Sequence, residues 1–152
     1  MQLAMDTADI NFRYSHPIQI RLSDLDPLGH VNNGVQFFYY DLGRIHYLEA
    51  IQGVPISWTE IDLVVVHTAC DFIRSIRYKE HIAVQTKITE IGNKSLRMVQ
   101  RIINTDNGEV KSTCYTVLSG FDRAHDCSQP ISMEYKRKIM DYEHNEPILK
   151  TP

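Results

Sequence analysis

The hydrophobic pattern near the start of the chain changes from alternation to a dense apolar run. Residues His16–Leu22 alternate between apolar and polar positions and predict a first strand. A polar turn over 23–30 follows, and the proline-free stretch from Asn33 to about Ile51 predicts the longest helix. That helix is apolar or aromatic around most of its circumference, so it should be buried on several sides. Gly53 and Pro55 end it.

The second half of the chain predicts mainly strands. Between Asp62 and Phe121, β-branched and apolar residues recur with a period of two over about four segments. The triplet Asp106-Asn107-Gly108 predicts a tight hairpin turn, because Asn and Gly accept a positive φ at little cost. Pro130 opens a last short helical stretch that extends to Met140.

The order of elements is strand, long helix and then about four strands in antiparallel hairpins, which is an α+β pattern. An antiparallel sheet wrapped around one long, very apolar central helix satisfies this order, and that arrangement is the hot-dog fold. The 152 residues contain no internal repeat and no low-complexity linker. We therefore expect a single domain over residues 1–152, with loose tails at 1–12 and 142–152.

Composition excludes several classes of function. A net charge of -3 and a pI near 6.1 give no global attraction to nucleic acid or to an anionic membrane, so neither is expected as a partner. The chain has no apolar run of about 18 residues, and its start lacks the features of a secretory signal. The three cysteines follow no metal-ligand spacing and predict no disulfide framework. A cytoplasmic location is expected.

The candidate chemistry lies in the polar segment Asp24-Leu25-Asp26-Pro27-Leu28-Gly29-His30-Val31-Asn32-Asn33. Hydrolysis at an acyl carbonyl needs a carboxylate that attacks the carbonyl or activates water, together with donors for the developing oxyanion. Asp26 lies shortly before a helix N-terminus, which offers free N–H groups and the positive end of the helix dipole. Gly34 has no Cβ and lets a substrate approach the first helical turn. Asp26 is therefore a candidate nucleophile or general base.

The same segment, followed at helical spacing by Tyr39, Tyr40, Asp41 and Arg44, resembles the signature of the 4-hydroxybenzoyl-CoA thioesterase family. Residues 90–96 resemble the turn between the family's third and fourth strands. The resemblance covers roughly Ile18 to Arg137. It implies hydrolysis of an acyl-CoA thioester, with Asp26 catalytic and the Asn33 backbone N–H in the oxyanion hole. It also implies a homodimer whose sheets join edge to edge, with each active site between subunits.

Further positions are candidates for binding the acyl-CoA substrate. Gln36 stands where many relatives have Tyr, which leaves the acyl group open. CoA carries several phosphate charges, so an acidic protein must hold it through a few local cations. The substrate-binding candidates are His30, Asn32, Gln36, Tyr40, Asp41, Lys94, Ser95 and Arg97. No cofactor and no metal are expected.

Several of these residues have a purely structural interpretation as well. Asp24 and Asp26 could bond turn amides, and we favour that role for Asp24. Asn32 or Asn33 could be the helix N-cap, and Asp41 could either line the acyl pocket or pair with Arg44.

Three rival functions stay open at this stage. A phosphatase of the haloacid dehalogenase type would explain an Asp-x-Asp after a strand, but it needs a parallel sheet with crossover helices. A hot-dog hydratase or dehydratase would also act on acyl thioesters. A non-catalytic dimer would bind acyl-CoA without turnover. The sequence also leaves open a homotetramer, and acyl carrier protein in place of CoA.

Overall fold

The computed structural model describes residues 5–59 and 62–150 of the chain. Within these residues, two α-helices, a short 3-10 turn and seven strands follow one another. They are β1 (Tyr14–Ile18), the 3-10 turn (Leu22–Asp24), α1 (Asn33–Gln52), β2 (Leu63–Phe72), β3 (Ile82–Ile91), β4 (Ser95–Asn104), β5 (Val110–Asp122), β6 (Cys127–Ser128), α2 (Met133–Tyr142) and β7 (Ile148–Leu149).

The five longer strands form one antiparallel sheet in the order β1-β3-β4-β5-β2. The β4–β5 hairpin turns where predicted, and the Gly108 N–H donates to the Asn104 carbonyl at 2.8 Å. The predicted antiparallel hairpins would pair β2 with β3. Instead, β2 pairs with β5 at the far edge of the sheet. Strand β2 thereby becomes an outer strand of the sheet.

The predicted long helix is confirmed. Asn32 caps its start by accepting the Gly34 N–H at 2.7 Å. Gly53 ends it with a φ of 74°, the left-handed conformation that glycine adopts most easily. The first half of α1 packs into one apolar cluster of the core and the second half into another, with β3 and β4 contributing to both. Gly43 lies so close to Val84 that a Cβ would overlap its side chain.

The first strand and both tails differ from the predictions. β1 ends at Ile18 rather than Leu22, and the chain then turns through the 3-10 segment. Thr7 in the N-terminal lead is buried, and its carbonyl accepts the Arg101 guanidinium at 3.1 Å. The C-terminal segment adds β7, which pairs in parallel with β3. The described parts of the tails are therefore attached to the sheet.

Cys70 and Cys114 form a disulfide between the facing strands β2 and β5. The expectation of no disulfide was wrong here, because it rested on spacing along the chain, whereas strand pairing brings residues 44 positions apart together. Within residues 5–59 and 62–150, no helix is long and apolar enough to cross a membrane.

Candidate active site

Asp26 lies in the turn between the 3-10 segment and α1. Its Oδ1 atom accepts the backbone N–H of Leu28 at 2.9 Å and of His30 at 3.3 Å, which fixes the carboxylate in the turn. Its other oxygen makes no hydrogen bond to the part of the chain that the structure describes. The structural role and the chemical role are therefore compatible, since each uses a different oxygen.

Asp24 is occupied by structural contacts. Its Oδ2 atom accepts the Arg21 N–H at 2.9 Å and the Tyr39 hydroxyl at 2.5 Å. Its backbone carbonyl accepts the Asn32 N–H at 2.9 Å. Burial and the hydrogen bond to Asp24 raise the pKa of the Tyr39 hydroxyl, so it stays protonated and donates. Asp24 thus connects the turn to the helix, as its structural interpretation predicted.

The first turn of α1 presents a backbone N–H toward solvent-accessible space beside Asp26. The Gly34 N–H is occupied by the Asn32 cap, but the Asn33 N–H finds no acceptor among the described residues. An unpaired N–H at a helix N-terminus, with the positive end of the helix dipole behind it, is a suitable donor for an anionic oxygen.

A cavity of about 360 Å³ joins these groups. Seven polar or charged residues line it: Asp26, His30, Asn32, Asn33, Gln36, Arg74 and Ser75. Phe72 and Ile73, at the end of β2, form part of its apolar wall. The cavity therefore combines a carboxylate, a helix N-terminus and a cation with an apolar surface.

Arg74 is the cavity residue to which sequence reasoning gave little weight. It forms no ion pair with any described residue, and only its backbone is held, through the Lys111 carbonyl at 2.9 Å. In the sequence it belongs to a basic cluster with Arg77 and Lys79, and such a cluster is most simply a solvated strand end. This cluster was the signal in the sequence that could have pointed to Arg74. The place of Arg74 in the cavity beside Asp26, however, depends on the packing of β2.

His30 and Asn32, two of the predicted substrate-binding residues, line the cavity. The His30 backbone closes the Asp26 turn, because its carbonyl accepts the Asp26 N–H at 2.8 Å. Asn32 acts as the helix N-cap, and its own backbone N–H is donated to Asp24. Both residues therefore shape the site whatever they do with a ligand.

Two predicted substrate-binding residues lie away from this cavity. Tyr40 is 2% exposed, and its hydroxyl lies 2.7 Å from Ser112 Oγ in the core. Asp41 forms an ion pair with Arg44 one turn further along the helix. Tyr40 therefore supports the site from the core and does not line the cavity. Asp41 pairs with Arg44, which is one of the two roles that the sequence left open for it.

The predicted phosphate-binding turn lies at the opposite end of α1 from Asp26 in the same chain. The Asn93 carbonyl accepts the N–H of Ile131, which packs against Leu48 and Ile51 near the helix C-terminus. A helix of 20 residues is about 30 Å long. A cation at this turn therefore cannot reach a ligand in the Asp26 cavity of its own subunit.

Residues of this turn also differ in their freedom to bind phosphate. Arg97 is committed to Glu90, with Nε 3.0 Å from the carboxylate, and to the Tyr115 hydroxyl. Ser95 is half-buried, and its carbonyl accepts the Gly92 N–H. Lys94 is exposed and has no ion-pair partner among residues 5–59 and 62–150. Lys94 is thus the available cation of the three.

Comparison with known proteins places the fold and the site in a family. A family model described as the thioesterase-like superfamily matches residues 20–139, which include the Asp26 turn, α1 and strands β2 to β5. The chain belongs to the thioesterase-like superfamily. A thioesterase from Thermus thermophilus, solved with coenzyme A and Zn, is 30% identical, with a TM-score of 0.78 over 88% of this chain and 96% of that one.

Two further similarities extend the comparison. A predicted thioesterase from Bacillus stearothermophilus shares the fold with a TM-score of 0.78 at 22% identity, covering 91% of this chain and 98% of that one. The uncharacterised protein YsmA of Bacillus subtilis is 26% identical over 88 residues, or 58% of this chain. The match spans 59% of that protein's length. Superfamily membership and the structural similarity confirm the hot-dog fold predicted from the order of elements.

Proposed function

We propose that this protein hydrolyses an acyl-CoA thioester to the free acid and CoA, with Asp26 as the catalytic carboxylate. The observation that carries the proposal is the shared cavity. In it, a carboxylate oxygen and a helix N-terminal N–H, from Asp26 and Asn33, both lack partners among the described residues. The bound CoA of the Thermus thermophilus thioesterase supports the choice of carrier.

The reaction needs the two groups in different roles. The free oxygen of Asp26 attacks the thioester carbon, or it takes a proton from a water molecule that attacks. In either case the carbonyl oxygen becomes negative, and the Asn33 N–H stabilises that charge. The carbon–sulfur bond then breaks, and the CoA thiolate leaves and is protonated. With Asp26 as nucleophile, water must afterwards hydrolyse the acyl-aspartyl anhydride.

The edge strand β2 supports a dimer. Among the residues that the structure describes, β2 is paired on one side only, by β5, and its exposed residues include Val65 and Val66. An unpaired edge with exposed apolar side chains is a template for pairing with another strand. We propose that two copies join through β2, which would form a continuous sheet and place the cavity wall at Phe72 and Ile73 beside the second subunit.

The dimer would also bring Lys94 toward an active site. Antiparallel pairing of two β2 strands reverses the direction of α1 in the second subunit, so each cavity faces the opposite end of the partner molecule. Lys94 from the second subunit is then a candidate phosphate contact. Sedimentation analysis should give a dimer as the smallest active species, and an active monomer at the assay concentration would contradict the shared site.

The activity itself is tested by free-thiol release from a panel of acyl-CoA esters with aromatic, short branched and medium-chain acyl groups. Turnover on at least one ester is expected. A parallel assay of enoyl-CoA hydration distinguishes a thioesterase from a hot-dog hydratase. Hydration without thiol release would contradict the proposal.

A further inference from the structure

We propose that Gln36 selects acyl groups that carry an oxygen substituent, a hydroxyl or an oxo group, on the first carbons beyond the thioester. Its side-chain N–H groups would donate a hydrogen bond to that oxygen. This inference rests on the proposed thioesterase function and names the class of acyl group for the same site.

Gln36 combines burial with an unused donor. The residue is 2% exposed, and its Oε1 atom accepts the Ser112 hydroxyl at 2.8 Å. Its Nε2 atom has no hydrogen-bond partner among the described residues and is not enclosed by protein, because Gln36 lines the Asp26 cavity. The amide nitrogen therefore faces the cavity with two N–H groups to donate.

The neighbouring hydroxyls fix which end of the amide faces the cavity. The Tyr40 hydroxyl lies 2.7 Å from Ser112 Oγ, which is its one hydrogen-bond partner among the described residues. Burial raises the pKa of Tyr40, so its hydroxyl keeps its proton. Because that proton has no other acceptor among the described residues, Ser112 Oγ accepts the Tyr40 hydrogen bond. Ser112 then donates its own proton to Gln36 Oε1, which leaves Nε2 toward the cavity.

The position of Gln36 along α1 determines which substrate atoms it meets. Gln36 follows Asn33 by three residues, so the two lie on the same helix face, about 4.5 Å apart along the axis. A thioester carbonyl held at the Asn33 N–H would place the adjoining acyl carbons beside the Gln36 amide. An oxygen on those carbons could then accept a hydrogen bond without displacing the carbonyl.

A plain alkyl chain in the same place would leave the amide donors without a partner. A site built to hydrogen-bond a substrate oxygen rejects the analogue that lacks this oxygen. Where the site is fully closed, the rejection reaches about 10,000-fold. Because the cavity described here is open on one side, we expect a preference of at least about tenfold, which corresponds to one hydrogen bond of roughly 1.4 kcal/mol.

The test compares matched substrates. Wild-type kcat/KM is measured for butyryl-CoA against 2-hydroxybutyryl-, 3-hydroxybutyryl- and 3-oxobutyryl-CoA, and at least one oxygenated ester should exceed butyryl-CoA by about tenfold. In Gln36→Leu that ratio should fall to about one. Gln19→Leu, the same change at an exposed position, is the control and should keep the wild-type ratio. A wild-type ratio near one for all pairs, or a ratio that Gln36→Leu leaves intact, would overturn the inference.

A second pair of variants tests the orientation of the amide. Ser112→Ala and Tyr40→Phe remove links of the chain that ends at Gln36 Oε1, and each should lower the substrate ratio while Gln36 is still present. Unchanged ratios in both folded variants would contradict the orienting role. Thermal unfolding of each variant separates a lost preference from a lost fold.

Binding measurements separate this inference from the proposed function. Thioether analogues of CoA, S-butyl-CoA and S-(3-hydroxybutyl)-CoA, cannot be hydrolysed, and calorimetry gives their Kd values. If no ester is turned over, the proposed function fails, yet tighter binding of the hydroxylated thioether that disappears in Gln36→Leu would still support selection by Gln36. Equal affinity of both thioethers for the wild-type protein would reject it.

Discussion

The Tyr39 hydroxyl donates a 2.5 Å hydrogen bond to Asp24 Oδ2 and so attaches the Asp26 turn to α1. Asp24 and Asp26 are two residues apart, but of the two only Asp26 lines the cavity that Asn33 also lines. The helix that offers the Asn33 N–H therefore also holds the turn that offers the carboxylate. This contact therefore supports the relative position of the two proposed catalytic groups.

Loss of that contact should impair stability more than chemistry. Asp24→Asn keeps the shape of the side chain but removes the negative charge that strengthens the hydrogen bond from Tyr39. We therefore expect a loss of about 1–3 kcal/mol in the free energy of unfolding. Turnover should fall far less than in Asp26→Asn, because Asp24 does not line the cavity. Urea unfolding and free-thiol release measure the two effects.

Tyr39→Phe is the matched variant, because it removes the other partner of the same hydrogen bond, and it should behave in the same way. A fall in turnover of several orders of magnitude in a folded Asp24→Asn protein would make Asp24 a catalytic residue.

Gly43 allows α1 to approach β3 closely. An added Cβ would overlap the Val84 side chain, which is buried and has little room to move. Gly43→Ala should therefore destabilise the protein by about 1–3 kcal/mol, although Ala favours a helix over Gly. Urea unfolding gives the value. Val84→Ala should cost less in the Gly43→Ala background than alone, because it removes the overlapping atoms. Simple additivity of the two changes would show that the helix shifts instead.

Glu146, in the C-terminal segment, should make the free energy of unfolding depend on pH in the acid range. Hydrogen bonds from Lys87 and Arg13 lower the pKa of the Glu146 carboxyl to about 2, below its usual value of 4.5. Its ionised form is therefore favoured in the folded state, and the resulting stabilisation is present above about pH 4.5 and lost as the pH falls toward 2. Glu146→Gln should lower the free energy of unfolding at pH 7 and have no effect near pH 2.

Glu143 serves as a control, because its contribution to stability should depend on pH in the opposite direction. Burial raises the pKa of this carboxyl, partly offset by the Tyr47 hydroxyl, Lys87 and Arg13. Its protonated form is favoured on folding, so the contribution is most favourable below pH 4.5 and declines as the pH rises through the raised pKa. Glu143→Gln should therefore match or exceed wild type at pH 7 and lose this advantage below pH 4.5. Parallel pH profiles for the two variants would contradict the assignment.

Lys94 should act through the CoA nucleotide alone. Lys94→Ala should raise KM for an acyl-CoA with kcat almost unchanged, since a phosphate contact is the same in the ground and transition states. An acyl-pantetheine, which lacks the nucleotide, should be unaffected. Lys79→Ala, at another exposed lysine, is the control. Equal impairment of both substrates would make Lys94 structural.

If neither substrate is affected by Lys94→Ala, the phosphates are held elsewhere. Arg74 is then the first candidate, because it lines the cavity of its own subunit without an ion-pair partner among the described residues.

How much of this could be predicted depends on the range of the interactions. Helix α1 was predictable because its apolar density, the Asn32 cap and the Gly53 stop are local features. The Asp26 turn was predictable for the same reason, since its hydrogen bonds close within four residues. Strand pairing is not local: nothing within β2 specifies β5 as its neighbour, so the Cys70–Cys114 disulfide was not foreseen.

The parts of the site that the sequence did not reveal are those brought in by β2 and the core. Arg74 is far from Asp26 in sequence and reaches the cavity only because β2 ends there. The free end of the Gln36 amide depends on Ser112 and Tyr40, and side-chain orientation of this kind follows from packing rather than from pattern.

Steady-state turnover of Asp26→Asn on the best acyl-CoA ester tests the central claim most directly. The change keeps the acceptor oxygen that holds the Leu28 and His30 amides but removes the carboxylate charge. Wild-type thermal stability confirms that the variant is folded, and turnover should then fall by at least about 100-fold. Near-normal turnover by the folded variant would remove Asp26 from the mechanism and contradict the account.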